Sequence, residues 1–159
     1  MMIEQEIGEI LLKNNLTISS AESCTGGLLS SMLTDVAGSS AFISFNVITY
    51  ANEIKHKILG VSLETLTGYG AVSEECAKEM VIGLKKLTDS DICVATTGIA
   101  GPGGGTNEKP VGLCYVGVFL NGEIRIKKLL FDSKNSRKEL KQKFATAALE
   151  FVKDCLELC

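Results

Sequence analysis

Helical and strand patterns alternate along the first two thirds of the chain, and this alternation most restricts the fold. Apolar residues recur at helical spacing over residues 2–14, and a short strand candidate follows at residues 16–20. The alternation continues to an apolar strand candidate at residues 92–96. Such alternation favours strands in one sheet with helices packed on both of its faces.

Three further helices and one strand are predicted between these segments. One helix begins near Gly26, and a strand rich in β-branched and aromatic residues covers residues 45–50. The next helix runs from Asn52 to Gly60, a residue typical of a helix C-terminus. Ser73 is predicted to be the N-cap of the third helix, because its hydroxyl can accept from a first-turn amide.

The last third of the chain has an antiparallel pattern. Asn121-Gly122 stands between strand-like runs at residues 111–120 and 123–131, and this dipeptide suits the two positive φ angles of a tight hairpin. A final helix follows over residues 135–158, with apolar residues up to Leu158 expected to face inward. We therefore predict one domain over residues 1–159, of the α/β class, folded as a three-layer α/β/α sandwich with a mixed sheet.

Composition excludes several kinds of site and partner. A net charge of −3 gives no basic face for nucleic acid. His56 is the only histidine, so no metal site can use two imidazoles. The six cysteines contain no CxxC pair and fit reduced thiols of a cytoplasmic protein. Neither a basic export signal nor an apolar run of bilayer length is present, so no membrane partner is expected.

Two segments that interrupt the regular pattern are candidates for ligand binding. Residues 21–27 contain small hydroxyl and glycine residues whose amides, at a helix N-terminus, could form an anion site; an ordinary N-cap is the alternative. Residues 98–106 hold five of the sixteen glycines directly after a buried strand. Ligands bind at such positions in α/β proteins, although a plain flexible loop is the alternative.

A third segment carries residue types that suit nucleophilic catalysis. Ser40, Tyr50 and Lys55 follow one another along the chain, and a lysine of lowered pKa can remove a serine proton. The spacing alone does not show that the three side chains meet. The simpler interpretation is that Ser40 lies in a turn, Tyr50 in a strand and Lys55 on a solvated helix face. The basic run over residues 134–143 fits a solvated face, although one arginine there could bind an anion.

Taken together, the motifs resemble the CinA C-terminal domain family, whose stand-alone members are PncC-type nicotinamide mononucleotide (NMN) amidohydrolases. The matching segments, in the family's order over nearly the whole chain, are AESCTGG, GSS, YANEIK, TTGIAGPGGGT, EKPVG and SRKEL. The resemblance implies an α/β/α sandwich that hydrolyses NMN to nicotinate mononucleotide and ammonia in pyridine nucleotide salvage, without a metal or other cofactor. It also implies that Ser40, Tyr50 and Lys55 are catalytic and that Thr97 and Arg137 contact substrate.

On this interpretation Ser40 attacks the carboxamide carbon, and Lys55, either directly or through Tyr50, takes the serine proton. The residues expected to bind the nucleotide are Ser23, Thr25, Gly26, Thr97, Gly101, Gly103, Gly104 and Arg137. The chain departs from the family at Lys141, where a second arginine is common, and lysine lacks the bidentate fork of arginine. We expect the amidohydrolase domain alone, without the extra N-terminal domain of larger members.

Three alternatives remain open from the sequence. The chain could be a nucleotide-binding module of the same family without catalytic activity. A cysteine redox or metal protein is a further class, which would require thiols of low pKa or bound metal. A homodimer is expected, with the apolar strands or the last helix supplying its interface.

Overall fold

The computed structural model describes residues 1–159. Its helices are α1 (Ile3–Asn14), α2 (Leu28–Thr34), α3 (Asn52–Leu59), α4 (Leu63–Gly68), α5 (Glu74–Thr88) and α6 (Arg137–Glu157). Its strands are β1 (Ile18–Glu22), β2 (Ile43–Ile48), β3 (Ile92–Gly98), β4 (Leu113–Leu120) and β5 (Glu123–Leu130).

All five strands form one mixed sheet in the order β2-β1-β3-β4-β5. The central strand β1 runs parallel to both β2 and β3, whereas β4 is antiparallel to β3 and to β5. The predicted hairpin joins β4 to β5, and both of its turn residues have positive φ, 52° at Asn121 and 75° at Gly122. The predicted mixed sheet is confirmed.

Helices cover both faces of the sheet. On one face α1, α2 and α6 enclose a core cluster of 25 buried residues, and on the other α3 and α5 enclose a cluster of 9. The predicted three-layer α/β/α sandwich is therefore confirmed. None of the helices is both long and apolar enough to cross a membrane.

Two details of the helices differ from the prediction. Helix α4 was not expected, because its six residues are too few to show helical periodicity. Its one sequence signal is Ser62, whose side chain accepts from the Thr65 amide at 3.1 Å as an N-cap. Leu158 was expected to face inward but is 66% exposed, since it is the C-cap of α6 and the last buried residue of that helix is Cys155.

The parallel part of the sheet determines where a site can form. Because β2, β1 and β3 point the same way, their carboxyl ends meet at one edge of the sheet. Ser23 follows β1 at this edge, Tyr50 lies just beyond β2, and Thr97 is near the end of β3. Crevices outside the carboxyl ends of such strands are where α/β proteins bind ligands.

Helices α3 and α5 approach each other closely at Gly83. A Cβ atom at this position would lie 1.7 Å from the Leu59 carbonyl oxygen, far inside van der Waals contact. Glycine therefore allows the end of α3 to rest directly on α5, and α3 is the helix that carries Lys55.

Replacing this glycine tests the importance of the close approach. We expect Gly83→Ala to lower the free energy of unfolding by about 1–3 kcal/mol, because the added methyl group overpacks a contact with backbone atoms. Chemical denaturation followed by circular dichroism measures the change.

Gly68→Ala is the matched control, since a Cβ atom at this helical position meets nothing within 4 Å. It should leave stability unchanged or raise it by up to about 1 kcal/mol through helix propensity. Equal stability of the Gly83→Ala variant and the wild type would contradict the packing argument.

Candidate active site

A cavity of about 270 Å³ opens at the carboxyl edge of the parallel strands. Its walls come from the segments that follow β1, β2 and β3, from the glycine loop at residues 98–105, and from the first residue of α6. The cavity therefore collects side chains that are far apart in the sequence, as expected for a site at this edge.

Lys55 is buried at the base of this cavity, with only 1% of its surface exposed. Its Nζ donates to the Ser23 Oγ at 3.0 Å and to the main-chain carbonyl of Tyr50 at 2.8 Å. No carboxylate forms an ion pair with it. Burial lowers the pKa of Lys55 and raises the pKa of the neighbouring Cys76 to about 11, so no thiolate from Cys76 balances the ammonium at neutral pH.

The burial of Lys55 follows from the packing of α3. The other buried residue of this helix is Leu59, one turn further on; α3 packs against α5, and Leu59 joins the core cluster between α5 and the sheet. The sequence favoured a solvated lysine because charged residues are seldom buried without a partner. A buried lysine bonded to a serine hydroxyl can, in its neutral form, accept the serine proton.

Ser40 does not belong to this cavity. It lies in a single turn of 3-10 helix, Ser39–Ala41, that precedes β2, whereas Tyr50 and Lys55 come after this strand. The Ile18 amide donates to the Phe42 carbonyl at 2.8 Å and fixes that turn at the amino end of β1. Because a strand advances about 3.3 Å per residue, Ser40 is at the opposite edge of the sheet.

Ser23 occupies the position that Ser40 was expected to take. The sequence prediction included Ser23 only among the nucleotide-binding residues, and its contact with Lys55 was missed. The signal that could have found it is its position directly after a strand and ahead of a glycine pair, the kind of loop where α/β proteins place reactive groups.

The Tyr50 side chain takes part in a bridge over the mouth of the cavity. Its hydroxyl accepts from Arg137 Nη2 at 2.9 Å, and Arg137 Nη1 donates to the Gly101 carbonyl at 2.6 Å. This bridge joins the end of β2, the glycine loop and α6. Tyr50 therefore contacts Lys55 only through its main chain, and its hydroxyl hydrogen-bonds to Arg137 rather than to the lysine.

Most of the predicted nucleotide-binding residues line the cavity. Those that do so are Ser23, Thr97, Gly101, Gly103, Gly104 and Arg137. Thr97 is held by a hydrogen bond from its Oγ1 to the Ala71 carbonyl at 2.8 Å. Gly101 has a φ of +73°, and a Cβ atom there would lie 2.5 Å from Val111, so the loop requires glycine at this point.

The predicted anion site at the start of α2 is already filled by the protein's own carboxylate. Glu22 is fully buried and accepts hydrogen bonds from the amides of Gly27, Leu29 and Ser30 at 3.2, 2.9 and 3.0 Å. The Ser30 hydroxyl donates to the same carboxylate. The interpretation of these amides as free for a ligand was therefore wrong.

Thr25 and Gly26 lie beside a second groove of about 860 Å³, between the starts of α2 and α6. Arg137 lines both cavities, and the groove also contains Lys138 and Lys141. None of these three cations forms an ion pair. They occupy the start of a helix, where the helix dipole is positive and favours anions, so the field in the groove suits an anionic group.

His56, the one histidine of the chain, lies outside both cavities. It is exposed on α3, and its Nδ1 hydrogen-bonds to the Val61 carbonyl at 2.8 Å. His56 is therefore a surface residue that takes no part in either cavity. No three His, Cys, Asp or Glu side chains come together in a way that could hold a metal ion.

The fold and site define a three-layer α/β/α protein with a buried serine–lysine pair at the carboxyl edge of its parallel strands. The chain belongs to the CinA C-terminal domain family, which matches residues 1–156. The resemblance seen in the sequence motifs is thus confirmed.

Individual relatives support this membership. A CinA-like protein of Kosmotoga olearia is 48% identical over 154 residues, which are 97% of this chain and 37% of that protein. The structure of the competence/damage inducible protein CihA from Agrobacterium tumefaciens matches with a TM-score of 0.93 and 39% identity, over 96% of this chain and 92% of that one. The competence damage-inducible protein A (ComA) from Klebsiella pneumoniae has the same TM-score at 32% identity, over 98% and 95% of the two chains.

The chain spans just over a third of the length of the curated relatives that it matches. In the Kosmotoga protein, for example, it covers 37% of the length.

The buried Glu22 carboxylate gives a test of how the site is held. We expect Glu22→Gln to lower the free energy of unfolding by about 1.5–3 kcal/mol, because hydrogen bonds to a charged acceptor are replaced by weaker ones and the amide introduces N–H groups among donors. Denaturant titration measures this loss.

Glu74→Gln is the control, since Glu74 is an exposed residue in the first turn of α5. It should cost only about 0.3–1 kcal/mol through the helix dipole. The proposed role of Glu22 is contradicted if both variants lose the same small amount.

Proposed function

We propose that this domain is a metal-independent amidohydrolase that converts NMN and water to nicotinate mononucleotide and ammonia, with Ser23 as nucleophile and Lys55 as its base. The observation that carries the proposal is the 3.0 Å contact between Lys55 Nζ and Ser23 Oγ at the base of the cavity. A nucleophile beside a base suits the hydrolysis that the family resemblance implies, and Ser23 rather than Ser40 is bonded to the lysine.

In the first step neutral Lys55 takes the Ser23 hydroxyl proton while the oxygen attacks the carboxamide carbon of NMN. The tetrahedral intermediate then expels ammonia, and the proton held on Lys55 passes to the leaving nitrogen. An ester between Ser23 and the nicotinoyl group remains. The cationic pyridinium ring withdraws electrons from the carbonyl and makes this attack easier.

In the second step water attacks the ester carbonyl, and Lys55 takes a proton from it. Collapse of this intermediate breaks the bond to Ser23 Oγ, which regains a proton from Lys55. Nicotinate mononucleotide leaves, and the pair returns to its starting state. The lysine thus serves both as general base and as general acid, which is why its pKa must be lowered from the usual value.

A backbone amide beside the nucleophile can stabilise the oxyanion. Cys24 follows Ser23 directly and lines the cavity, and its N–H donates to no acceptor within the protein. In acyl-transfer enzymes the amide that follows the nucleophile commonly points at the developing negative charge. We assign the Cys24 amide this role.

The nucleotide portion of the substrate has complementary surfaces nearby. The cavity and the adjoining groove meet at Arg137. Its guanidinium forms no ion pair with a carboxylate and can bind phosphate bidentately. Lys141, whose Nζ would lie 3.5 Å from a Cβ at Gly26, adds a second cation. The glycine loop and Thr97 would border the ribose, where backbone can approach closely.

The nucleophile is tested by comparing two serine variants in an assay of ammonia release from NMN. We expect Ser23→Ala to lower kcat/KM by about a thousandfold or more, because removal of a nucleophile leaves only binding and electrostatic contributions. Calorimetry should still detect NMN binding to this variant.

Ser40→Ala is the matched control and should retain near wild-type turnover. The reverse pattern, with Ser40→Ala inactive and Ser23→Ala active, would show that the nucleophile is Ser40. If the wild type binds NMN and releases no ammonia, the domain is a nucleotide-binding module rather than an enzyme.

The base is tested through the pH dependence of the reaction. Burial lowers the pKa of Lys55 from its ordinary value of 10.5, so a larger fraction is neutral at any given pH. Since only neutral Lys55 can take a proton, kcat/KM should rise with pH and reach a plateau at high pH. The apparent pKa of this rise should lie below 10.5.

Lys55→Arg should be inactive at every pH, because a guanidinium is not deprotonated in proteins. Lys57→Arg, on the exposed side of the same helix, should keep the wild-type profile. A Lys55→Arg variant that retains the rising limb would exclude Lys55 as the titrating base.

A further inference from the structure

Two buried thiol groups lie side by side next to the candidate nucleophile. Their sulfur atoms have no role in the proposed mechanism. The Sγ atoms of Cys24 and Cys114 are 3.7 Å apart. Cys24 lines the cavity and is 6% exposed, whereas Cys114 lies in β4 and is fully buried. No other two of the six cysteine sulfurs form a hydrogen bond with each other.

We propose that Cys24 and Cys114 form an oxidative modification site, in which a peroxide entering the cavity converts the two thiols to a disulfide. Cys24 is reached from the cavity and reacts first, and Cys114 behind it is the resolving thiol. The effect on catalysis described below rests on the proposed function, but formation of the bond does not.

The chemistry balances with hydrogen peroxide as the oxidant. The Cys24 sulfur attacks one peroxide oxygen, which breaks the O–O bond and gives a sulfenic acid and water. The Cys114 sulfur then attacks the sulfenic sulfur, and the hydroxyl leaves as water with the Cys114 proton. Two thiols are oxidised to one disulfide, and the peroxide is reduced to two waters. Burial raises the pKa of Cys114, which agrees with Cys24 being the first to react.

Closure of this bond acts directly on the nucleophile. A disulfide requires a sulfur separation of about 2.05 Å, so the two side chains must approach. Cys114 is held in the sheet, where it pairs with Gly98 of β3, whereas Cys24 lies in the loop after β1. The adjustment therefore falls on Cys24, and its neighbour Ser23 is bonded to Lys55 at only 3.0 Å. Oxidation is expected to break that contact and to withdraw the Cys24 amide from the oxyanion.

The test uses the full chain carrying Cys159→Ser, because Cys159 is the one exposed cysteine and would form bonds between molecules. Samples with and without hydrogen peroxide are alkylated after denaturation and digested without reductant. We expect a peptide pair linked through Cys24 and Cys114 and, in protein sampled before alkylation, an intact mass lower by two hydrogen atoms. NMN hydrolysis should fall by about a hundredfold, as for a small misplacement of a catalytic group, and should recover with dithiothreitol.

Two variants make the result specific. Cys114→Ala should give no linked peptide, and its activity should lose the reversible response to peroxide. Cys93→Ala is the control, since Cys93 is buried in β3 and contacts no other cysteine sulfur; it should behave like the parent. Because peptide mapping of the parent needs no variant, a Cys114→Ala protein that fails to fold leaves the proposal testable.

The possible outcomes separate this proposal from the proposed function. Absence of the Cys24–Cys114 peptide under oxidation, or linkage of other cysteines instead, overturns the modification site. A linked peptide with no NMN hydrolysis in either state supports the modification site and contradicts the amidohydrolase. A linked peptide with unchanged hydrolysis overturns the effect on Ser23.

Discussion

The buried carboxylate of Glu22 is the interaction on which the site depends. Glu22 is the last residue of β1, and its carboxylate accepts hydrogen bonds from three amides at the start of α2. These bonds fix the strand, the turn and the helix to one another. A buried charge is stable only when it is fully hydrogen-bonded, and here the helix dipole adds to the amides. The turn between them carries Ser23 and Cys24, whose positions are set by this bond.

A second buried charge faces this turn, and it is satisfied far less completely. Lys55 has two neutral acceptors, Ser23 Oγ and the Tyr50 carbonyl, and no carboxylate. The two buried groups therefore have different effects. The Glu22 carboxylate is surrounded by donors and stabilises the fold, whereas Lys55 has few partners and a lowered pKa. Poor compensation of a titratable group in a cavity is typical of a catalytic site.

The sheet connects these local features to the groove outside the cavity. Parallel alignment of β2, β1 and β3 brings three chain segments to one edge, and the bridge from Tyr50 through Arg137 to Gly101 joins that edge to α6. Cations at the start of α6 then extend the polar surface into a groove. The arrangement places a lysine of lowered pKa in the cavity and positive charge outside it, which agrees with the proposed nucleotide substrate.

The sequence by itself determined the types of the elements other than the short helix α4, the Asn121-Gly122 hairpin and the family, because periodicity, turn chemistry and motif order are local properties. It also identified the glycine loop, where close backbone contacts demand glycine. Only the tertiary structure decided that Ser23, not Ser40, meets Lys55, since the two bonded residues are 32 positions apart and the strand order brings them together. Only the tertiary structure likewise showed that the Glu22 carboxylate binds the amides at the start of α2, which the sequence predicted to be free for a ligand. A local sequence pattern does not reveal which side chain will fold back onto a helix N-terminus.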